Sequence, residues 1–414
     1  MNLTKPKTIR RISTVVAIIF AIPLQWMIFT GFFIWLSPFV MLNSFFKLKS
    51  MVLLNVAGWV ILVSSVFRKR WFCRYMCPVG LGCDTFSKWG KHNTNLVRKI
   101  PRIGKWLALI SLGAALTGIP LFILLDPLAI FNGFFAAFTK EVNLATVLSL
   151  SGLPLLFAVH LILPGMWCGK VCPLGALFDE AANLKTWILK KPGTKEPVPA
   201  ENGFGRRVFI ATGTGLLAGI FLPKMLISKP AGFFRPPASS PENIFNILCV
   251  RCGNCIKACP TGILKHYNET GNITAWMTPE ITFQNKGYCL ENCTLCGTVC
   301  PTGSISPFTT EAKKKLFIGS IEIGIEKCLL TEIKECDRCK SACAYDAITI
   351  IPSGNSVVMQ PVAELSKCVG CGACAAICPT ETIRMVPAKK NSLVLQFSPP
   401  LSGFAENVQG CLFH

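Results

Sequence analysis

Four cysteine-rich runs lie between Cys249 and Cys378: CVRCGNCIKACP from Cys249, CLENCTLCGTVCP from Cys289, CLLTEIKECDRCKSAC from Cys328 and CVGCGACAAICP from Cys368. The first and last hold the C-x2-C-x2-C-x3-C-P spacing. In that spacing three thiolates of one tight loop converge on a cubane iron–sulfur cluster, and the fourth, a helical turn on, reaches the neighbouring cluster. A disulfide framework fits poorly, because cysteines two residues apart seldom bridge. Zinc takes two C-x2-C pairs but has no use for the C-x3-C-P tail. Two runs depart from the spacing: three residues separate Cys289 from Cys293, seven separate Cys328 from Cys336, and Ala344 follows Cys343 where proline is expected. Both keep four thiolates, so four [4Fe–4S] clusters are expected, the altered runs differing in potential or exposure. The candidate ligands are Cys249, Cys252, Cys255, Cys259, Cys289, Cys293, Cys296, Cys300, Cys328, Cys336, Cys339, Cys343, Cys368, Cys371, Cys374 and Cys378. Spacing leaves open whether first pairs with last or neighbour with neighbour.

The rest of the chain must position these runs, and its composition points to lipid. Of 414 residues 51% are hydrophobic, and the mean hydropathy is +0.49, high for an ordinary soluble domain. Apolar runs near the length needed to cross roughly 30 Å of hydrocarbon occupy about 13–36, 50–67, 106–125 and 144–164, with a weaker fifth at 208–226. The expected fold is a membrane α-helical bundle of four helices plus a fifth tethering helix, followed by an α+β polyferredoxin domain with strands at ITAWM, AITII and TIRMV.

The net charge of +21 divides into +19 for residues 1–229 and +2 for residues 230–414. The basic excess therefore belongs to the apolar half and gives no footprint for nucleic acid. Lys and Arg concentrate in the N-terminus and in the segments 68–105 and 165–207. By the positive-inside rule these face the cytoplasm, and a fifth crossing puts the ferredoxin domain on the periplasmic side of a bacterial inner membrane.

The basic segments carry a second repeat. WFCRYMCPVGLGCD at Trp71–Asp84 aligns with WCGKVCPLGALFD at Trp167–Asp179, matching Cys73 with Cys168, Cys77 with Cys172, Gly80 with Gly175 and Asp84 with Asp179. Each copy follows a pair of apolar runs, as in parallel-repeat membrane folds. Cys73, Cys77, Cys168 and Cys172 form either a fifth iron–sulfur site or two separate thiol pairs with zinc, dithiol or structural roles.

Residues 1–190, with four apolar runs and two CxxxCP motifs, resemble the NapH/MauN family of membrane ferredoxin-type proteins. The remainder is similar to the NapG/MauM family of exported four-cluster ferredoxins. The resemblance implies a fusion: a duplicated membrane domain (1–190), a linker with a fifth helix (191–229) and a ferredoxin domain (230–414). Arg206-Arg207 before the fifth run resembles the twin-arginine signal that begins NapG-type chains. Such families imply electron transfer from quinol, directly or through a partner, to a periplasmic redox enzyme or cytochrome, as an electron-transfer subunit of a quinol dehydrogenase-like oxidoreductase. No bond-making residue is required. The alternative is an accessory factor that uses its cysteines to assemble or sense for another enzyme.

A cytoplasmic site and an external ferredoxin domain would need a redox step between them. Two intramembrane histidines for a haem are lacking, and only His160 lies in an apolar run. His160 is the weak candidate for a quinone contact, with Asp126 read chiefly as a helix stop. The run LAIFNGFFAAF reads as a quinone cover or an interfacial segment. Cys83 and Cys411 are left without a role.

Overall fold

The computed structural model describes residues 6–21, 31–48, 56–90, 94–117, 120–138, 144–188, 206–225, 232, 234–268, 273–283, 286–353 and 358–387. The linker expected at 191–205 and Cys411 lie outside them. The N-terminal half is helical: α1 (Pro6–Ala21), α2 (Phe32–Trp35), α3 (Pro38–Leu48), α4 (Val56–Phe67), α5 (Trp71–Tyr75), α6 (Pro78–Trp89), α7 (Thr94–Lys99), α8 (Ile103–Leu116), α9 (Pro127–Ala136), α10 (Leu144–Ile162), α11 (Pro173–Ile188) and α12 (Arg206–Met225).

The multi-pass membrane bundle expected from hydropathy does not hold. Among the described residues, no helix is long and apolar enough to cross a membrane. The run at 13–36 is divided between α1 and α2, α4 has 12 residues, and α8 has 14 and gives way to a 3-10 turn at Ile123–Leu125. The 19-residue α10 contains Pro154 and two serines and buries His160, and α12 packs along α8 as one more member of the helical layer. The inner-membrane topology, with its external ferredoxin domain and its fifth helix as a tether, is withdrawn with the spans. Of their apolar residues, Ala17, Phe33, Ile61, Ala108, Leu153 and Leu156 join a core with Phe39, Phe72, Leu128, Leu174 and Phe178, while Val15, Val60, Val63, Leu155 and Phe209 stay exposed.

The two CxxxCP copies fold alike because each places a cysteine before a proline at a helix start. Pro78 opens α6 and Pro173 opens α11, positions where the missing N–H costs nothing. Cys77 and Cys172 each accept a 3.4 Å hydrogen bond from the amide three residues on, of Gly80 and Gly175. Seven residues into each helix region, Asp84 and Asp179 take the arginines Arg10 and Arg70.

The C-terminal half consists of cysteine loops, single helical turns and three antiparallel strand pairs. Leu264–His266 (β1) pairs with Pro279–Ile281 (β2), Gly319–Ile323 (β3) with Ile383–Pro387 (β6), and Ile348–Pro352 (β4) with Met359–Ala363 (β5). Two of the expected strands, AITII and TIRMV, appear as β4 and β6. The third does not: Ile273–Ala275 is a 3-10 turn, and the carbonyls of Thr274 and Trp276 accept from the half-buried Arg251 guanidinium at 2.8 and 2.6 Å instead of pairing with a strand. The short helices α13 (Glu242–Leu248), α14 (Asn254–Ala258), α15 (Leu295–Thr298), α16 (Thr310–Lys313), α17 (Arg338–Ser341) and α18 (Ala373–Ile377) complete the half.

LAIFNGFFAAF is α9, a strut joining the halves. Asp126 does not stop a helix here but starts one, capping α9 by accepting from the Leu128 and Ala129 amides at 2.9 and 3.2 Å. Its second oxygen accepts from Ser37 just ahead of α3. At the other end, Ala136 meets Gly253, a left-handed residue (φ +68°) where a Cβ would lie 2.2 Å from the Ala136 methyl. Ile34, Trp35, Val40 and Ala129 share one apolar cluster with Cys249, Cys252 and Cys255.

Asp126 is fully buried, and burial pushes its carboxyl up to about 6 against the three hydrogen bonds that oppose the rise. The native state thus holds this proton to a higher pH than the unfolded chain, so the group's contribution to stability falls as pH rises from about 4 to about 7. Asp126→Asn keeps the cap acceptor and removes the titration. Its expected effect is a flatter stability–pH curve, with a gain at pH 7.5 of roughly 1 kcal/mol relative to pH 5.5. Thermal unfolding of both proteins across that range measures it, and parallel curves would refute it.

Candidate iron–sulfur centres

In the ferredoxin half every cysteine run is split. Cys249, Cys252 and Cys255 surround a cavity closed by Cys300, the last cysteine of the second run. Cys289 and Cys296 lie beside Cys259, the last of the first run, with Cys293 in the same cluster. Cys328, Cys336 and Cys339 share a cavity with Cys378, and Cys343 stands with Cys368, Cys371 and Cys374. Neighbouring runs therefore exchange their fourth cysteines. The two exchanged pairs meet where the Cys289 amide donates to the Cys371 carbonyl at 2.8 Å.

The helical half brings a fifth set together. Cys73, Cys77, Cys168 and Cys172 line one cavity of about 420 Å³, bordered by Arg10, Arg70 and Arg74 and by Pro127 at the start of α9. Burial, then neighbouring thiols, push Cys73 and Cys172 up, and burial takes Cys77 to about 12. Such thiols keep their protons until a cation displaces them, so metal binding here releases protons. Arg70 donates to Asp179 and to the Cys168 carbonyl at 2.7 and 3.0 Å. Two helix N-termini, at Cys77 and Cys172, add positive potential. The set suits an anionic thiolate-bound group.

His160 lines none of these cysteine cavities. It is fully buried, with Nδ1 2.9 Å from the Leu156 carbonyl, and stands against Cys83 and Cys168. The expected quinone contact has no support in this placement.

Residues 51–96 and 145–195, the two CxxxCP regions, match a family described as a 4Fe-4S binding domain, and residues 248–304 and 327–382 each match a 4Fe-4S dicluster domain. The methylamine utilization ferredoxin-type protein MauM of Methylophilus methylotrophus is 32% identical over 200 residues, 44% of this chain and 84% of that protein. Ferredoxin-type protein NapF of Escherichia coli K12 is 36% identical over 155 residues, 37% of this chain and 85% of its own length. The chain belongs to the ferredoxin-type proteins. NapG of the same strain is 30% identical over 201 residues, covering 44% of this chain and 86% of that one. No solved structure matches. Iron–sulfur binding of the [4Fe–4S] kind and electron transfer follow from this membership. In the helical half the likeness to a 4Fe-4S binding domain covers the two CxxxCP regions; the fusion with a NapH-type membrane protein is not shown.

This ferredoxin-type protein also uses residues that no cysteine spacing announces. Lys313 is 1% exposed, and its ammonium donates to the carbonyls of Leu290 and Cys293, the latter at 2.7 Å. It is a buried cation against the second run, recognisable in sequence only as one of three consecutive lysines. Hydroxyls two and four residues past the fourth cysteine form another layer: Thr302 and Ser304 on Cys300, Thr380 and Thr382 on Cys378. Burial raises Cys378, but the Thr382 and Thr380 hydrogen bonds outweigh it and hold the thiol at about 7.

The exchange is testable by paired substitutions. Cys259→Ala with Cys296→Ala strikes one group and should remove one cluster's iron. Cys259→Ala with Cys300→Ala strikes two and should remove twice as much. Iron analysis with EPR reads the difference; equal losses would refute the exchange.

Proposed function

We propose that this protein is an electron relay of five iron–sulfur centres: four [4Fe–4S] clusters on the sixteen ferredoxin cysteines and a fifth on Cys73, Cys77, Cys168 and Cys172. The observation that carries the reading is adjacency. The fifth set borders α9 through Pro127, and the other end of α9 packs on the loop of Cys252 and Cys255. At ten residues, α9 is about 15 Å long, about half of what a hydrocarbon core would interpose. No further redox group is needed between the halves.

From there the order is spatial. The set closed by Cys300 neighbours the set closed by Cys259, that set touches Cys371 and its partners through Cys289, and the set closed by Cys378 stands last. The basic cavity mouth at Arg10, Lys69, Arg70 and Arg74 faces the donor end, and a partner redox protein exchanges electrons at the end of Cys328 and Cys336. The protein's lever over each step is potential, set by hydrogen bonds to sulfur, nearby charge and burial. Cys343 is followed at the two hydroxyl positions by Tyr345 and Ala347 and accepts a 3.3 Å bond from the Ala347 amide. Its cluster, with fewer hydroxyl donors, has the lowest potential of the four.

Redox-titrated EPR of the anaerobically loaded chain tests the relay. The spectra of adjacent centres should broaden one another, and Cys371→Ala should abolish the broadening between the last centre and the rest while leaving the first two coupled. Persistent coupling of the last centre would refute the order. A Cys73→Ala, Cys172→Ala variant with wild-type iron content would remove the fifth centre. Tyr345→Thr supplies a hydroxyl and should raise the lowest potential; an unchanged or lowered value would refute the hydrogen-bond account.

A further inference from the structure

Cys83 has no counterpart in the second CxxxCP copy, where Phe178 stands at the matching place. It points into the space between α6 and α10. Phe86 and Phe157 stack there at 4.9 Å and 11°, pinning the two helices together. A Cβ at Gly82 would lie 2.4 Å from the Phe157 ring, so the approach depends on that glycine. One turn from each ring, Cys83 and His160 are brought face to face, 1% and 0% exposed. The π-helical turn Trp167–Val171 bulges Cys168 toward them, a distortion that often marks functional sites.

The ligand atoms of Cys83, His160 and Cys168 all lie within 4.8 Å of one another, and among the described residues they are the one such group of His, Cys, Asp or Glu. That spacing separates two chemistries. Thiolates around a multi-iron cluster stand off from one another across the iron and sulfide they enclose, and none of the five cysteine sets is drawn in this closely. A single ion with bonds of roughly 2.0–2.3 Å needs its ligands drawn close. His160 is prepared for such an ion. Its Nδ1 donates to the Leu156 carbonyl, which leaves the Nε2 lone pair free, and Nε2 is buried with no hydrogen-bond partner. A carbonyl holding the far nitrogen is the usual way a metal-ligating histidine is oriented.

We propose that Cys83 Sγ, His160 Nε2 and Cys168 Sγ form a binding site for one borderline-soft first-row ion of the Zn2+ type, sharing only the Cys168 thiolate with the four-cysteine set. A donor set of two sulfurs and one imidazole selects that class over hard cations, and three protein ligands leave a coordination position open. Cys168 also borders the four-cysteine cavity, so its thiolate is the bridge by which occupancy of the small site reaches the fifth centre. The three-ligand site itself does not depend on the fifth cluster being present.

The probe is Co2+, added to the full chain after anaerobic cluster loading. One equivalent should bind with thiolate-to-cobalt absorption in the near ultraviolet and be displaced by Zn2+. Cys83→Ser and His160→Gln should each weaken binding at least ~10-fold while iron content and far-ultraviolet circular dichroism stay at wild-type values, which shows both variants folded. Cys77→Ser should lose iron and still bind cobalt. Cobalt bound equally by wild type and both variants, or not bound by wild type, overturns the proposal. Loss of iron in Cys83→Ser or His160→Gln also overturns it, because those residues then serve the cluster. Iron unchanged in Cys77→Ser counts against the fifth cluster alone and leaves the cobalt result to decide this site.

Discussion

The structure rests on one constraint: a fourth thiolate must come from somewhere else. A tight loop supplies three cysteines to a cluster, and the next helical turn carries the fourth away to its neighbour. No set is complete until two runs dock. Cys300 therefore completes the first set and Cys259 the second, and the same exchange joins Cys343 and Cys378 across β3–β6 and β4–β5. Strand pairs of three to five residues cannot stand alone in water. The crossed thiolates, once metal-bound, do the tying, and much of the folding free energy of this half is metal-binding free energy.

The helical half meets the same demand by duplication instead of exchange. Each copy contributes two cysteines, one of them at a helix start where the proline spares an amide and a glycine amide donates to sulfur. Each copy also fixes an arginine through an aspartate on the following helix, Arg10 with Asp84 and Arg70 with Asp179. The two arginines stand on the cavity rim. Their guanidiniums thus offset the charge that four thiolates would bring into a buried space, where an uncompensated charge is costly.

What could be read from sequence follows how local each signal is. The cysteine runs are legible because cluster geometry acts within a dozen residues. Their pairing is not, because both arrangements satisfy the same spacing and only the docking of Cys300 on the first run and of Cys378 on the third separates them. Hydropathy misled for a related reason: a helix buried among other helices needs the same apolar residues as one buried in lipid. Leu36, Ile61 and Leu156 face protein, and the length test that separates the cases is decided by where helices end, as at Phe67 and Leu116. Lys313, Arg10 and Arg70 look like ordinary surface charge in sequence; only their tertiary partners reveal them. Cys83 and His160 are 77 positions apart, and no local pattern connects them before α6 and α10 stack.

The strut α9 shows why packing and electron transfer are one problem here. A relay needs its centres close and held still, and a helix with a capped start meets both needs. Asp126 fixes one end of α9 beside the fifth cysteine set, and the Ala136–Gly253 approach fixes the other against the first ferredoxin loop. The cap is made by a carboxylate that burial disfavours. An uncharged cap would hold the helix with less penalty, so the acid is consistent with a role for charge at this spot. Asp126 lies near enough to Cys77 to raise its thiol. The residue that fixes the strut therefore also sets the potential around the four-cysteine cavity, and a negative group there would lower the potential of any centre those cysteines held.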